Sequence, residues 1–242
     1  MFEREHHRRI AAVLETLDAD ALAAHACLFG GGTAMALRFG EYRESVDIDF
    51  LVSSREGYRQ LRQQLTGPEG LRAIVKPGHA EPLAFEQVRE MRADQYGVRT
   101  MVRVAGADIK LEIVLEGRIE LANPGPQDRL CGVATLTPLD MATSKLLANS
   151  DRWRDDAVLS RDLIDLAMMA PAKKLLQQAL AKARGAYGDS VDADLAKAIE
   201  DLSQRPHRLD RCMLDMRMNT VSKAALWARI KALGRLLDQS QA

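Results

Sequence analysis

Two aspartates separated by a single residue are the side chains of this sequence best placed for metal chemistry. Asp47 and Asp49 lie in the run VDIDF, in which apolar and acidic residues alternate. This alternation predicts a strand that carries both carboxylates on one face and Val46, Ile48 and Phe50 on the other. Carboxylates about 7 Å apart along a strand repel each other unless a cation lies between them. Because oxygen ligands suit Mg²⁺, the sequence predicts a magnesium platform here.

A glycine turn precedes these aspartates in the chain. Residues 30–32 are all glycine and follow an apolar pair that is predicted to end a strand. Glycine permits a tighter backbone than any other residue, and Thr33 is predicted to cap a short helix, residues 34–39, that ends at Gly40. The start of a helix presents backbone N–H groups and a partial positive charge, so a phosphate can bind there. Either motif alone also occurs in proteins without such a site.

Taken together, the two motifs indicate a family. GGTAMAL followed by YRESVDIDFL resembles the polymerase-β-type nucleotidyltransferase superfamily and, within it, most closely the AbiEii/AbiGii toxin group. The resemblance implies that Gly31, Gly32 and Thr33 cradle the nucleotide phosphates and that Asp47 and Asp49 hold two Mg²⁺ ions. Gly32 stands where the family commonly has serine, so Thr33 is expected to supply any hydroxyl contact to phosphate.

The same resemblance implies a fold class, a reaction and partners. The fold would be α+β, with a nucleotidyltransferase core of a small mixed β-sheet and packed helices, followed by a helical C-terminal region. The reaction would transfer a nucleoside monophosphate from an NTP to an acceptor hydroxyl and release pyrophosphate. The acceptor would be RNA, in particular the 3′ end of tRNA. The enzyme would be the toxin of a toxin–antitoxin pair, with a separately encoded antitoxin.

A β-hairpin is predicted over residues 98–116, because two alternating runs flank a turn at residues 105–108. Glu112 lies on the face of the second strand opposite its apolar side chains. From the residues alone, a solvent-facing glutamate is the favoured interpretation, since charged residues are mostly exposed. In the resembling family a third carboxylate comes from the strand beside the D-x-D strand, and Glu112 matches it as a catalytic and metal-binding residue. Asp108 is the alternative candidate.

Beyond a loop at residues 117–136 the periodicity becomes helical, and a boundary is predicted that separates a core, residues 1–123, from a helical region, residues 124–242. The first helix of that region is predicted to begin at Pro138, after a threonine cap.

Two residues of this helical region are assigned to the site by the resemblance. Lys145 and the later run RDLID match the distal motifs of the group, which implies that Lys145 contacts nucleotide phosphates and that Asp162 belongs to the active site. Spacing alone is equally consistent with an exposed Lys145 and an i, i+4 ion pair between Arg161 and Asp165.

Composition excludes several other classes. The chain has 242 residues, a formal net charge of zero and three cysteines without metal-ligand spacing, and no apolar run approaches the roughly twenty residues of a membrane span. We therefore expect a cytoplasmic protein with reduced cysteines and no membrane partner. The adjacent His6 and His7 point to different sides of a helix, so we expect them at the surface, not as a ligand pair.

Positive charge is concentrated near the C-terminus. Residues 204–235 contain eight lysines and arginines against two aspartates. Lys223, Arg229 and Lys231 are predicted to lie on exposed helix faces, where they would contact RNA phosphates. A solvated basic helix face is the alternative interpretation.

Two other functions remain compatible with the residues. One is an enzyme that nucleotidylates a protein hydroxyl. The other is a non-catalytic, nucleotide-binding interaction protein, against which the intact carboxylates Asp47, Asp49 and Glu112 argue.

Overall fold

The computed structural model of the chain describes residues 2–78 and 83–241. The chain forms two compact units. The first comprises Met1–Arg38 and Ser45–Thr137, and the second comprises Phe39–Glu44 and Pro138–Ala242. The boundary predicted between a core, residues 1–123, and a helical region, residues 124–242, stays a prediction.

Among its described residues, the first unit has the α-helices α1 (Glu5–Thr16), α2 (Ala19–Ala24), α3 (Gly31–Arg38) and α4 (Arg55–Leu65). Helix α1 buries Ile10, Val13 and Leu14 on one face, as helical spacing requires. Asp18 separates α1 from α2, because its carboxylate accepts hydrogen bonds from the first amides of α2. Helices α3 and α4 pack against the second strand of the sheet, which carries Asp49.

A mixed sheet forms the centre of the first unit. Its strands are β1 (Leu28–Phe29), β2 (Ile48–Val52), β3 (Glu86–Gln87), β4 (Arg92–Ala93), β5 (Gly97–Val104) and β6 (Ala107–Leu115). The order is β1-β2-β6-β5-β3, and β4 also pairs with β5. The pair β2–β6 is parallel and the other pairs are antiparallel. A separate two-stranded ladder joins β7 (Arg129–Leu130) and β8 (Val133–Ala134).

The predicted hairpin is confirmed. Strands β5 and β6 pair from Gly97 to Val104, and the two-residue connection has Ala105 at φ 45° and Gly106 at φ 81°. Positive φ at both central residues matches the right-handed twist of the paired strands. Ile109 and Ile113 are fully buried on one face of β6, so Glu112 lies on the other.

The second unit contains helices α5 (Pro138–Arg152), α6 (Arg161–Met169), α7 (Lys173–Tyr187), α8 (Ser190–Gln204), α9 (Pro206–Asp215) and α10 (Lys223–Gln241). The predicted start at Pro138 is confirmed. Helix α5 packs against α6, α7 and α8, and α10 packs against α6 and α8. The chain is therefore α+β, with a mixed sheet followed by a mainly helical region, as predicted. Within the described residues, no helix combines the length and apolar character needed to cross a bilayer.

Candidate active site

The glycine turn lies directly against Asp49. The amide of Gly30 donates to the carbonyl of Asp49 at 2.8 Å, which extends the β1–β2 ladder. Gly31 has φ +67°, and a Cβ atom built there would lie 2.9 Å from the Cβ of Asp49 and collide with its carboxylate. Only glycine therefore fits at this position. Because α3 begins at Gly31, the turn brings the start of a helix against a carboxylate.

The first amides of α3 are the phosphate-binding groups that this turn can offer. The amide of Ala34 bonds to the carbonyl of Gly30 at 3.3 Å, which is the first bond of the helix. The preceding amides, of Gly31, Gly32 and Thr33, have no acceptor within the helix. Such amides, together with the helix dipole, bind anions.

Thr33 departs from the prediction in two respects. It lies in the third position of α3, so it is not the N-cap, and the helix begins three residues earlier than Ala34. Its side chain is 1% exposed, and its hydroxyl donates to the carbonyl of Asp47 at 2.5 Å and contacts Ser45 Oγ at 2.9 Å. The hydroxyl thus fixes the segment before β2, and its contact with phosphate stays a prediction.

Two adjacent histidines also hold the segment before β2. His7 is buried, and its Nε2 accepts a hydrogen bond from the amide of Ser45 at 3.1 Å, while His6 Nε2 donates to the carbonyl of Val46 at 3.0 Å. The expectation of a surface position is therefore wrong for His7. Val46 precedes β2 and is 48% exposed, so it does not share the buried face of Ile48.

Three carboxylates occupy one face of the sheet, as the alternation predicts. Ile48 and Phe50 are fully buried on the opposite face, while Asp47 and Asp49 are half-buried. In the parallel pair of β2 and β6, Asp49 is the register partner of Glu112. Register partners in a sheet point to the same side. We call Asp47, Asp49 and Glu112 the carboxylate face.

Two cations already bind Glu112. Arg99 Nε and Lys110 Nζ each donate to one of its carboxylate oxygens. Burial alone lowers the pKa of Lys110, but the hydrogen bond to Glu112 and the charges of Asp49 and Asp47 raise it above its ordinary value. Lys110 therefore stays protonated beside all three carboxylates. Lys110 lies two residues before Glu112 on the same strand. The alternation of side chains along a strand therefore indicates from the sequence that the two share a face.

The residues of the carboxylate face fit Mg²⁺ in part. Asp47 and Asp49 supply oxygen donors beside the Gly31 turn, where a side chain would fill the space. Glu112 is engaged by Arg99 and Lys110. In residues 2–78 and 83–241 there is no group of three or more His, Cys, Asp or Glu side chains arranged to hold a metal. The oxygen donors of the two aspartates are compatible with the ion, and the metal roles of Asp47, Asp49 and Glu112 stay predictions. Asp108 lies further along β6 and pairs with Arg103 at 2.7 Å.

The predicted distal residues form a buried ion network in the second unit. Its members are Arg43, Lys145, Arg152, Asp162 and Asp165. Lys145 Nζ lies 3.0 Å from Asp162 and 2.6 Å from Asp165. Arg152 binds both oxygens of Asp162, and Arg43 binds both oxygens of Asp165.

Charge pairing keeps both aspartates of this network ionised. Burial raises the pKa of Asp162, but Lys145 and Arg152 hold it well below its ordinary value. Burial likewise opposes the ionisation of Asp165, and Arg43 and Lys145 nevertheless lower its pKa. Asp165 also accepts a hydrogen bond from Tyr42 at 2.7 Å.

The network overturns the alternatives drawn from helical spacing. Lys145 is only 6% exposed, so it is not a surface residue. Asp165 pairs with Arg43 and Lys145, while Arg161 is exposed. Tyr42 and Arg43 had no sequence signal, because their partner lies more than a hundred residues away in the chain. The nucleotide-binding role of Lys145 and the catalytic role of Asp162 stay predictions.

The basic residues near the C-terminus are largely paired. Acidic side chains bind five of the eight: Arg205, Arg208, Arg211, Arg217 and Lys223. Arg229 is exposed but donates to the carbonyl of Met168 at 3.0 Å, and Lys231 lies over the ring of Trp227. Pairing with acidic side chains thus reduces the excess positive charge that is counted along the sequence. RNA binding by Lys223, Arg229 and Lys231 stays a prediction.

Comparison with known proteins agrees with this fold. A family model described as nucleotidyl transferase AbiEii toxin, type IV TA system, matches residues 12–239. No curated protein matches the chain. Two solved structures share the fold, each with a TM-score of 0.50 over 97% of this chain. One is a candidate nucleotidyltransferase from H. pylori, 18% identical and covered over 92% of its length. The other is JHP933 from Helicobacter pylori, 20% identical and covered over 90%.

The family match spans almost the whole chain and includes the glycine turn, the paired aspartates and the distal lysine and aspartates. This protein therefore belongs to the AbiEii nucleotidyltransferase toxin family of type IV toxin–antitoxin systems.

Proposed function

We propose that this enzyme transfers a nucleoside monophosphate from an NTP to a hydroxyl of RNA, with the 3′ end of tRNA as the acceptor, and releases pyrophosphate. The observation that carries the proposal is the contact between Gly31 and Asp49, which brings helix-terminal amides and carboxylates together. Phosphate and metal ligands are needed side by side for phosphoryl transfer, whose catalysis is mainly positioning and charge stabilisation. A cytoplasmic location and a separately encoded antitoxin are part of the proposal.

In this proposal the start of α3 binds the β- and γ-phosphates. The amides of Gly31, Gly32 and Thr33 would donate to phosphate oxygens, and the helix dipole would favour their negative charge. The hydroxyl of Thr33 contributes indirectly, because it holds the carbonyl of Asp47 and so positions that carboxylate.

Asp47 and Asp49 would hold the Mg²⁺ ions. When bound, Mg²⁺ lowers the pKa of the attacking hydroxyl and neutralises charge on the triphosphate and its leaving group. For Glu112 to serve as a third ligand or to take the proton, its carboxylate must exchange Arg99 or Lys110 for the new partner. Until that exchange, Glu112 orients these two cations.

The roles proposed for Lys145 and Asp162 derive from family membership. Lys145 would donate to nucleotide phosphates, although within its own unit its ammonium already has two carboxylate partners. Lys145→Met should lose NTP affinity under this proposal. Arg152→Met weakens the same ion network without removing Lys145, so it is the matched control.

Labelled nucleotide transfer tests the proposal. The purified protein is incubated with each α-labelled NTP, Mg²⁺, total RNA and a protein lysate, and the labelled product is identified. We expect label on RNA of tRNA size, and its loss after treatment that removes the 3′-terminal nucleotide. Label on protein would support a protein acceptor instead. No labelled product, together with retained NTP binding, would favour the non-catalytic alternative.

A further inference from the structure

A basic cavity opens beside the carboxylate face in the first unit. It has a volume of about 410 Å³, and its lining includes Arg89, Arg92, Arg99, Met101 and Lys110. Four of these five residues are cations, and Glu90 is the acidic residue of the wall. We call it the β5 cavity.

The β5 cavity and the carboxylate face lie on the same side of the sheet. In the β5–β6 pair, Arg99 is the register partner of Glu112, and Met101 is the partner of Lys110. Glu112 is in turn the partner of Asp49 on β2. Adjacent strands are about 4.8 Å apart, so Arg99 on β5 lies roughly 10 Å from Asp49 on β2. The surface is therefore acidic at Asp49 and basic at Arg99, and these two positions are separated by about the span of one nucleotide.

Acidic side chains neutralise the arginines of the β5 cavity only in part. Arg92 and Arg99 are direct partners in the antiparallel β4–β5 pair, where like charges destabilise a sheet. Asp94 and Glu112 offset Arg99. In contrast, no ion pair to Arg89 or Arg92 is found among the described residues.

The wall that carries Arg89 is fixed by hydrogen bonds. Thr100 Oγ1 donates to the carbonyl of Arg89 at 2.6 Å, and the amide of Val88 donates to the carbonyl of Met101 at 2.9 Å. The guanidinium groups of Arg89 and Arg92 are thus exposed on an ordered backbone. A fixed site of this kind binds anions with less ordering cost than a flexible basic tail.

We propose that the β5 cavity binds phosphodiester groups of the RNA acceptor, which deepens the proposed function and rests on it. In the proposed function the NTP phosphates bind at the start of α3, which follows β1 and lies against Asp49. An acceptor hydroxyl that approaches Asp49 from the β6 side brings its neighbouring phosphates over Arg99, Arg92 and Arg89. Contacts to phosphate position a nucleic acid without reading its sequence.

The same reasoning favours this cavity over the predicted C-terminal helix residues. Most cations of that region are neutralised by acidic side chains, as in the pair of Lys223 and Asp210 at 2.7 Å. Arg89 and Arg92 are exposed on the same unit as the carboxylate face.

A double charge reversal tests the proposal. Arg89→Glu with Arg92→Glu is compared with Arg55→Glu and Arg59→Glu, two exposed arginines of α4 outside the cavity lining. Both variants change the net charge equally. Binding of a fluorescein-labelled tRNA transcript is measured over a range of salt concentrations without NTP or Mg²⁺, and calorimetry measures the affinity for a non-hydrolysable NTP.

We expect the Arg89/Arg92 variant to bind tRNA about tenfold or more weakly than the control variant, with a salt slope smaller by about two, and to keep its NTP affinity. Equal tRNA affinity and salt slope in the two variants would overturn the proposal. Loss of NTP affinity with unchanged tRNA binding would overturn it too and assign the cavity to the nucleotide. Because binding is measured without transfer, failure of the cavity proposal is distinguishable from absence of transferase activity.

Discussion

The carboxylates of the two units have opposite relations to their surroundings. In the buried ion network of the second unit, Asp162 and Asp165 are each bound by two nitrogens of one arginine and share Lys145. On the carboxylate face of the first unit, Asp47 and Asp49 are half-buried beside a turn that only glycine can form. The network has three cations for two aspartates, while the carboxylate face has two cations for three acids.

This difference leads to different expectations for substitutions in the two regions. A buried carboxylate with several charged partners has little capacity for a further ligand, and its loss leaves the partners uncompensated. A half-buried carboxylate in an acidic cluster gains from an added cation. The comparison predicts that substitutions in the network change stability and that substitutions on the carboxylate face change activity.

The largest effect is expected on the carboxylate face. Asp47→Asn or Asp49→Asn should lower the rate of nucleotide transfer about a thousandfold or more, because loss of metal-held charge is worth several kcal/mol in the transition state. Removing one charge from the cluster should leave the melting temperature unchanged or raise it slightly. Asp108→Asn, an exposed acid on the same strand face, is the control and should keep its activity within about twofold.

In the buried ion network a large loss of stability is expected. Asp165→Asn should reduce the free energy of unfolding by about 3–5 kcal/mol, because Arg43 would remain buried without its carboxylate partner and Lys145 would keep only Asp162. Urea denaturation of the purified variants measures this loss. Asp215→Asn removes a more exposed acid of the same unit and should change stability by less than about 1 kcal/mol. If Asp165→Asn and Asp215→Asn are equally stable, the buried aspartate contributes no more to stability than the more exposed one. The distinction between the buried ion network and the carboxylate face would then be lost.

Gly31 and Gly132 form a matched pair for the glycine turn. Both have positive φ, but a Cβ at Gly132 meets nothing within 4 Å, whereas one at Gly31 meets Asp49. Gly132→Ala should cost only the backbone strain, about 1 kcal/mol. Gly31→Ala should in addition displace Asp49 and lower transfer by about tenfold or more. Thermal melts and initial rates of both variants separate strain from displacement, and equal activities would show that the contact has no catalytic importance.

The smallest of the predicted effects concerns the dependence of stability on pH, because it is absent near neutral pH and develops only in acid. The folded-state pKa values of Asp162 and Asp165 lie below the unfolded value of about 3.9, so the network stabilises the fold above that pH. This stabilisation should be lost as the pH falls below about 4. Denaturation midpoints between about pH 6 and pH 3 should fall less in Asp165→Asn than in the wild type. Parallel curves for the two proteins would contradict the assignment.

Local pattern was enough to predict part of the fold and site. The alternation VDIDF places both aspartates on one face, and two alternating runs around Ala105 and Gly106 define the hairpin whose second strand carries Glu112. These features depend on residues close together in the chain, where period and turn chemistry decide the conformation.

Contacts between distant segments could not be predicted in the same way. Residue 43 pairs with residue 165, and the inward hydroxyl of Thr33 depends on a loop twelve residues further along the chain. Helical spacing suggested an Arg161–Asp165 pair, but a buried guanidinium from another segment binds Asp165 more completely. Burial favours the ion-pair partner with the better hydrogen-bond geometry. That geometry cannot be read from the separation of two residues in the sequence.

The most direct test of the central claim measures how Mg²⁺ affects nucleotide binding. Isothermal titration with a non-hydrolysable NTP, with and without Mg²⁺, is carried out on the wild type, Asp49→Asn and Asp108→Asn. If Asp47 and Asp49 hold the metal beside the glycine turn, Mg²⁺ strengthens nucleotide binding in the wild type and in Asp108→Asn, and this strengthening is lost in Asp49→Asn. An equal Mg²⁺ effect in all three proteins would contradict the account.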